Sequence, residues 1–233
     1  MRVRLRFSKV GKVRWTSHRD VARMWERAFR RVQLPLAYTQ GFSPRPKVSF
    51  GLALPTGAES VAEYLDVELA LGTDVDVVAL PGRLTPALPV GIDVLAAAAV
   101  DDRADSLQHE VDSCSWTVEV AGAAAHELDD LVAAALAADS LVVSRERKGK
   151  VSEEDIRPGI LSVVATGTVL ECELAARPRA LRPSELVSAI SPALEVAGVR
   201  RTAQWIQRDG ARWEPLSLPP AATAAPHAEA RAS

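Results

Sequence analysis

The first hundred residues alternate between strand-like and helix-like hydrophobic patterns. Residues 2–7 alternate with a period of two, which predicts a strand with Arg2, Arg4 and Arg6 on one face. Residues 17–32 place apolar side chains at helical spacing behind Ser17, a residue typical of helix N-caps. Further strands are predicted at 47–54, 62–71 and 92–100, with a short helix within 74–84 that Pro81 interrupts. This β-α-β-β-α-β order predicts a ferredoxin-like unit.

The second half repeats the pattern. Strands are predicted at 115–122, 141–147, 168–175 and 199–208, and helices at 123–139 and 183–194. We therefore predict an α+β fold of two tandem ferredoxin-like units, residues 1–103 and 110–212. Residues 215–233, rich in Ala and Pro with few large apolar side chains, are predicted to be a disordered tail.

Composition restricts the cellular setting and the kinds of metal site. The 233 residues include only two cysteines, Cys114 and Cys172, without paired-cysteine spacing. This excludes a disulfide framework and zinc or iron–sulfur sites built on paired cysteines, and no metal ligands are assigned. The N-terminus lacks a continuous apolar segment, and no run approaches the roughly 18 to 20 apolar residues that cross a bilayer. We expect a cytoplasmic protein with no membrane contact.

Charge is distributed unevenly. Residues 1–50 contain thirteen basic and two acidic residues, although the whole chain has a formal net charge of −2. Such a gradient favours a polyanionic partner. On the first predicted helix four arginines share the face opposite the apolar stripe, and guanidinium groups suit phosphate oxygens. The candidate phosphate ligands on this helix are Arg19, Arg23, Arg27 and Arg30.

The arginines of the first strand have a simpler interpretation. They are expected on the sheet face that the helices leave uncovered. In this topology the first strand pairs with the third, whose outward side chains are Tyr64, Asp66 and Glu68. Cross-strand ion pairs then account for much of the arginine charge.

Two loops add candidate cations. Residues 38–57 (YTQGFSPRPKVSFGLALPTG) contain three glycines and three prolines. The prolines hold the backbone extended around Arg45 and Lys47, and Gly41 permits a positive φ. Rigid display lowers the entropic cost of ordering these cations around a ligand. A second basic patch, in which nearby acids offer local pairing, supplies Arg145, Arg147, Lys148 and Lys150.

His18 is the candidate catalytic residue. It is the histidine nearest the basic cluster, in the first turn of the predicted helix. A helix N-terminus favours the neutral imidazole, which could act as a general base on a ribose 2′-hydroxyl. A structural role at the helix start is the alternative interpretation, since no second acid–base group accompanies His18 in the sequence.

The N-terminal block, joined to RERKGKVSEEDIRPGI at residues 145–160, resembles the bacterial radical SAM-associated domain of unknown function. That domain occurs as the C-terminal part of cobalamin-binding radical SAM proteins or as a separate chain. The resemblance implies a stand-alone accessory protein whose radical SAM partner carries SAM, an iron–sulfur cluster and cobalamin, while this chain binds no cofactor. The matching positions are Ser17, His18, Asp20, Arg23, Arg27, Gly41, Phe42, Pro44, Pro46, Lys47, Phe50 and Gly57; Arg45 replaces the family's usual histidine.

Three functional hypotheses follow. The first is a non-catalytic module that binds RNA or presents substrate beside a radical SAM enzyme of RNA modification or processing. The second is a metal-independent RNA-cleaving enzyme that uses His18, by architectural analogy with CRISPR repeat-processing endonucleases built from tandem ferredoxin-like units. The third is a protein-interaction scaffold whose arginines dock an acidic partner.

Overall fold

A computed structural model describes residues 1–101, 106–147 and 149–217, apart from the side chains of residues 146, 147 and 150. This part of the chain has a mixed α+β fold with one large, mostly antiparallel sheet and few helices. The α+β prediction is confirmed. None of its helices combines the length and apolar character needed to cross a membrane.

The strands and the helices are numbered separately, each in chain order. The strands are β1 (Arg2–Lys9), β2 (Val48–Phe50), β3 (Glu59–Glu68), β4 (Val94–Val100), β5 (Ser113–Ala121), β6 (Val142–Arg147), β7 (Lys150–Asp155), β8 (Ile160–Thr166), β9 (Val169–Ala175), β10 (Glu195–Arg208) and β11 (Ala211–Trp213). The helices are α1 (His18–Arg31), α2 (Leu80–Leu84), α3 (Leu107–Glu110), α4 (Ala125–Ala137) and α5 (Pro183–Ile190).

Within the described residues, nine strands form one sheet. Its main path is β4-β1-β3-β10-β5-β9-β8, with β2 also paired to β3 and β11 to β10. The first half thus has the order β4-β1-β3-β2 and the second half the order β10-β5-β9-β8. Every pairing is antiparallel except that between β3 and β10, which joins the halves through Glu59 and Arg200, and through Ser60 and Arg201. The sheet is therefore continuous across the boundary expected between two units.

Helix α1 forms as its sequence predicts. Ser17 is the N-cap, and its hydroxyl accepts a hydrogen bond from the Asp20 N–H at 3.2 Å. One face of the helix packs against β1 and β3 in the core of the first half. The core residues that α1 contributes are Val21, Trp25, Ala28 and Phe29.

The arginines of β1 lie on the opposite face of the sheet. Arg4 is opposite Asp66 of β3 in the antiparallel register, and its Nε and Nη2 donate to the Asp66 carboxylate at 2.8 and 3.0 Å. This confirms the expected cross-strand pairing. The expectation that this face is uncovered is wrong, because α3 and the segment after β11 lie over it: Arg4 also contacts Glu110, and Arg6 contacts Glu214 at 2.8 Å.

A second core fills the other half, where one strand assignment is wrong. Residues 142–147 do form a strand, but β6 pairs only with β7, in a two-stranded sheet apart from the large one. The main-sheet position beside β9 belongs to β8, which the sequence analysis did not predict. Ile160 and Val163 of β8 both face the core because the strand register shifts between Ile160 and Ser162, whereas Leu161 and Val164 are exposed.

Smaller differences occur at element ends. Pro81 lies in the first turn of α2 and so begins this helix, in contrast to the predicted interruption. Leu71, the last residue of the strand predicted at 62–71, lies beyond the end of β3 and is 94% exposed. At the C-terminus, the carbonyls of Pro215 and Leu216 accept hydrogen bonds from Arg4 and Arg6. The rest of the predicted tail, residues 218–233, is outside the described residues.

Candidate nucleic-acid interface

The solvent side of α1 carries four exposed arginines, which we call the arginine face: Arg19, Arg23, Arg27 and Arg30. They lie on one side because their spacing follows the helical repeat, while the opposite side is buried in the core. At 1.5 Å per residue the face extends about 16 Å along the helix. The predicted grouping of these side chains is therefore present in the fold.

Few carboxylates neutralise the arginine face. Arg23 contacts Asp20 at 3.4 Å, but both side chains are about half exposed and the pair is weak. The Nε of Arg30 donates to the main-chain carbonyl of Glu26 at 3.4 Å, and not to its carboxylate. Within the described part of the chain, Arg19 and Arg27 have no carboxylate within 4 Å. Most of this positive charge faces solvent.

The 38–47 loop is a narrow hairpin beside α1. Tyr38 and Pro46 form an isolated β-bridge. The Thr39 N–H donates to the Arg45 carbonyl, and the Thr39 hydroxyl accepts from the Arg45 N–H. Gly41 near the tip has a φ of +131°, a conformation that glycine permits. The loop presents its two cations differently: Arg45 is exposed, whereas Lys47 donates to Glu68 at 2.6 Å.

A pocket of about 470 Å³ separates this loop from the second half of α1. Its apolar walls come from the core side of the helix and from the chain that leads into the loop. Its polar groups belong to Glu26, Arg30 and Gln33 of α1 and the following turn, and to Tyr38 of the loop. The complete lining is Glu26, Phe29, Arg30, Gln33, Leu34, Leu36, Tyr38 and Pro46.

Exposed aromatic rings, which were not among the predicted site residues, accompany the cations. Trp15, directly before α1, is 64% exposed; Tyr38 is 52% exposed; and Phe42 at the loop tip is fully exposed. Arg14 lies over the Trp15 ring at 5.4 Å from its centroid. The signal was present in the sequence as aromatic residues interleaved with basic ones, a pattern typical of proteins that stack nucleic-acid bases.

His18 lies at the edge of a small cavity under the start of α1. Its ring contacts Phe50 edge-to-face at 5.0 Å, and Lys9, Glu63 and Tyr64 line the same cavity. Burial lowers the pKa of the Lys9 amino group, which donates to the carbonyls of Arg14 and Thr16. Burial raises the pKa of the Tyr64 hydroxyl.

The ionisable neighbours of His18 have other partners. The carboxylate of Glu63 is held by Arg201 at 2.6 Å, and Lys9 is held by the two main-chain carbonyls. In the part of the chain that the structure describes, no side chain forms a hydrogen bond with the His18 imidazole. Ionisable side chains therefore line the same cavity as His18, but in the described part of the chain none of them is hydrogen-bonded to its imidazole.

The second basic patch lies on the β6–β7 hairpin. Arg145 contacts Glu154, one of the acids near it in sequence, at 3.8 Å, and the more distant Glu185 of α5 at 3.2 Å. The side chains of Arg147, Lys148 and Lys150 are outside the described residues. Among the residues the structure covers, no group of three or more His, Cys, Asp or Glu side chains could hold a metal ion.

The fold and surface define an α+β protein with an exposed basic helix beside a hairpin loop that carries an exposed aromatic residue at its tip. Residues 2–183 match the family described as uncharacterized proteins conserved in bacteria (DUF2344). Because this match covers more than half of the chain, the protein belongs to that family. No curated protein matches the chain significantly.

Proposed function

We propose that the protein is an RNA-binding module that holds single-stranded RNA along the arginine face and the 38–47 loop. The observation that carries the proposal is the set of exposed guanidinium groups on α1 with few carboxylate partners. Four like charges within about 16 Å repel one another, and an RNA backbone would relieve that repulsion. Guanidinium groups donate two parallel N–H hydrogen bonds to phosphate oxygens, which is a bidentate geometry.

The exposed aromatic rings support single-stranded RNA over a duplex. Trp15 lies at the start of α1, and Phe42 and Tyr38 belong to the loop beside its second half. Unpaired bases can stack on such rings, whereas the bases of a duplex are already stacked on each other. Stacking is tolerant of sequence, so these contacts add affinity without selecting a base.

The architecture and the partner form part of the same proposal. We interpret each half as a ferredoxin-like unit, and the strand orders β4-β1-β3-β2 and β10-β5-β9-β8 support this interpretation. By the resemblance of the N-terminal block, we further propose that the module serves a radical SAM enzyme that modifies or processes RNA. In this arrangement SAM, the iron–sulfur cluster and cobalamin belong to the partner.

The salt dependence of RNA affinity tests the proposal. Fluorescence anisotropy with a labelled 20-nucleotide single-stranded RNA should give an association constant that falls linearly with salt on a log–log plot. Arg19→Gln and Arg27→Gln should each reduce the slope by about 0.7, the value for one phosphate contact on a single strand. Arg182→Gln removes an exposed arginine from the other half and should leave the slope unchanged.

The aromatic contacts have a separate test. Trp15→Ala and Phe42→Ala should each weaken binding by about 1–3 kcal/mol with an unchanged salt slope, because stacking displaces no counterions. Leu161→Ala, at an exposed apolar residue of β8 in the other half, is the control. No measurable binding at 50 mM salt, or equal slopes in all arginine variants, would contradict the proposal and favour the scaffold hypothesis.

RNA cleavage by His18 is the alternative. The cavity at His18 favours it in part, since Lys9 and Glu63 line the same space. Because both groups have other partners, we favour binding over cleavage. Incubation of labelled cellular RNA with the wild type and with His18→Ala separates the two: products that disappear in the variant would establish cleavage.

A further inference from the structure

The pocket between α1 and the 38–47 loop offers more than a general RNA surface. Resting on the RNA-binding function proposed above, we infer that this pocket selects a guanine base, with the Glu26 carboxylate as the selecting group. Arg19, Arg23 and Arg27 of the arginine face then hold the backbone, while Arg30 and the rest of the pocket contact one base. This inference assigns a sequence preference, which phosphate contacts alone cannot supply.

The pocket has the size and walls of a base-binding site. Its volume of about 470 Å³ lies within the range of about 300–1,000 Å³ typical of small-molecule sites. Phe29, Leu34 and Leu36 provide an apolar floor, and Tyr38 and Pro46 form the wall on the loop side. Tyr38 is about half exposed, so part of its ring is accessible for stacking.

Glu26 is the only carboxylate in this lining, and its neighbours leave it available. It is exposed, and no arginine of the described chain lies within 4 Å of its carboxylate oxygens. Arg30, one turn later, instead donates to the main-chain carbonyl of Glu26. An acidic residue surrounded in sequence by arginines yet free of ion pairs is unexpected on such a helix. A ligand with adjacent hydrogen-bond donors would satisfy both of its oxygens.

Among the four RNA bases, guanine matches this requirement. Its Watson–Crick edge places an N1–H beside an N2 amino group, two donors that one carboxylate can accept together. Adenine, cytosine and uracil each present an acceptor beside a donor on that edge, so one Glu26 oxygen would face an acceptor. Arg30 lines the same pocket and can donate to the guanine O6, the acceptor that arginine commonly contacts.

Competition between single-base variants of one RNA tests the inference. We would measure the Kd of the full chain for a ten-nucleotide oligo-U and for the same RNA with a central G, A or inosine. Each Kd is expressed relative to oligo-U for the same protein variant. The wild type should prefer G over A by about tenfold, as expected for one bidentate pair, with inosine intermediate because it lacks the N2 amino group.

Two variants assign the preference to Glu26. Glu26→Gln replaces one acceptor by a donor and should bring the ratio of the G and A constants to about one. Asp74→Asn removes an exposed acid of the same half outside the pocket and should keep the tenfold ratio. Circular dichroism confirms that each variant is folded.

The outcomes separate this inference from the function on which it rests. Salt-dependent binding with equal affinity for G and A, or a preference that persists in Glu26→Gln, would overturn guanine selection and leave the RNA-binding module intact. Absence of binding to every RNA would overturn both proposals.

Discussion

At the residue scale, arginine plays two opposite roles in this protein. Arg4, Arg6 and Arg201 are almost completely buried and contact carboxylates, whereas the arginine face of α1 is exposed and largely unpaired. Burial without a partner would cost several kcal/mol, so the buried group requires its acids. The exposed group has no such requirement, and its charge is available to a ligand.

The pair of Arg201 and Glu63 gives a prediction on stability. Arg201 is 1% exposed, and its Nε and Nη2 donate to one Glu63 oxygen at 3.0 and 2.6 Å. Glu63→Ala leaves a buried guanidinium without its carboxylate and should lower the free energy of unfolding by about 3–5 kcal/mol. Urea denaturation measures it. Glu68→Ala, which breaks the exposed pair with Lys47, is the matched control and should cost less than about 1 kcal/mol.

Glu59 gives a prediction on pH dependence. Hydrogen bonds from the Arg200 guanidinium, and then from the Gly11 N–H and Arg14, lower the pKa of the Glu59 carboxyl despite its partial burial. A lowered pKa in the folded state means stabilisation that is present above the unfolded-state pKa of about 4.3 and lost as the pH falls through the folded-state pKa.

Urea denaturation of the wild type and Glu59→Gln at several pH values checks this prediction. The wild type should be more stable at pH 7, and the difference in free energy of unfolding should shrink as the pH falls below about 4.3. Glu171→Gln, at an exposed residue of β9, controls for the general effect of losing a carboxylate. A difference that is independent of pH would show that Glu59 contributes by packing and not by charge.

At the element scale, the helices and strands with a clear hydrophobic periodicity could be predicted from the sequence. Helix α1 combines a cap residue, an apolar stripe and a polar face, so its position and its arginine face could both be predicted. Strands β1 and β3 likewise alternate clearly. Strand β8 was missed because its pattern, ILSVVAT, mixes core and exposed apolar residues and follows a proline–glycine turn. The strand pattern of residues 141–147 was correct, but local alternation cannot show which sheet a strand joins.

In the candidate interface, too, some features follow from local sequence and others only from tertiary contacts. The spacing of the arginines along the sequence predicts that they share one face of the helix. The pocket forms only where α1 and the 38–47 loop come together in the fold, and the sequence does not show that the two are neighbours. Lys47 illustrates the limit: its pairing with Glu68 depends on the register of β2 against β3. Whether a charged side chain is free to bind a ligand depends on the tertiary structure. Arg45 is exposed, whereas Lys47, two residues later, is paired with Glu68.

At the scale of the whole molecule, β10 connects the two cores. It pairs with β5 along most of its length and with β3 in parallel at Arg200 and Arg201. Side chains reinforce this short pairing: Gln204 of β10 donates to the Ala62 carbonyl at 2.6 Å, and Leu52 and Leu54 from the first half pack against the second core. Separating the halves would expose these buried groups.

We therefore expect the halves to unfold together. In urea, pulsed hydrogen–deuterium exchange with mass spectrometry should show peptides of β1 in the first core and β9 in the second losing protection at the same midpoint. Glu63→Ala should shift both midpoints equally, because its partner Arg201 belongs to the connecting strand β10. If β9 lost protection at a lower urea concentration than β1, the halves would be separately stable. The buried contacts at β10 would then join two independent units without making their unfolding cooperative.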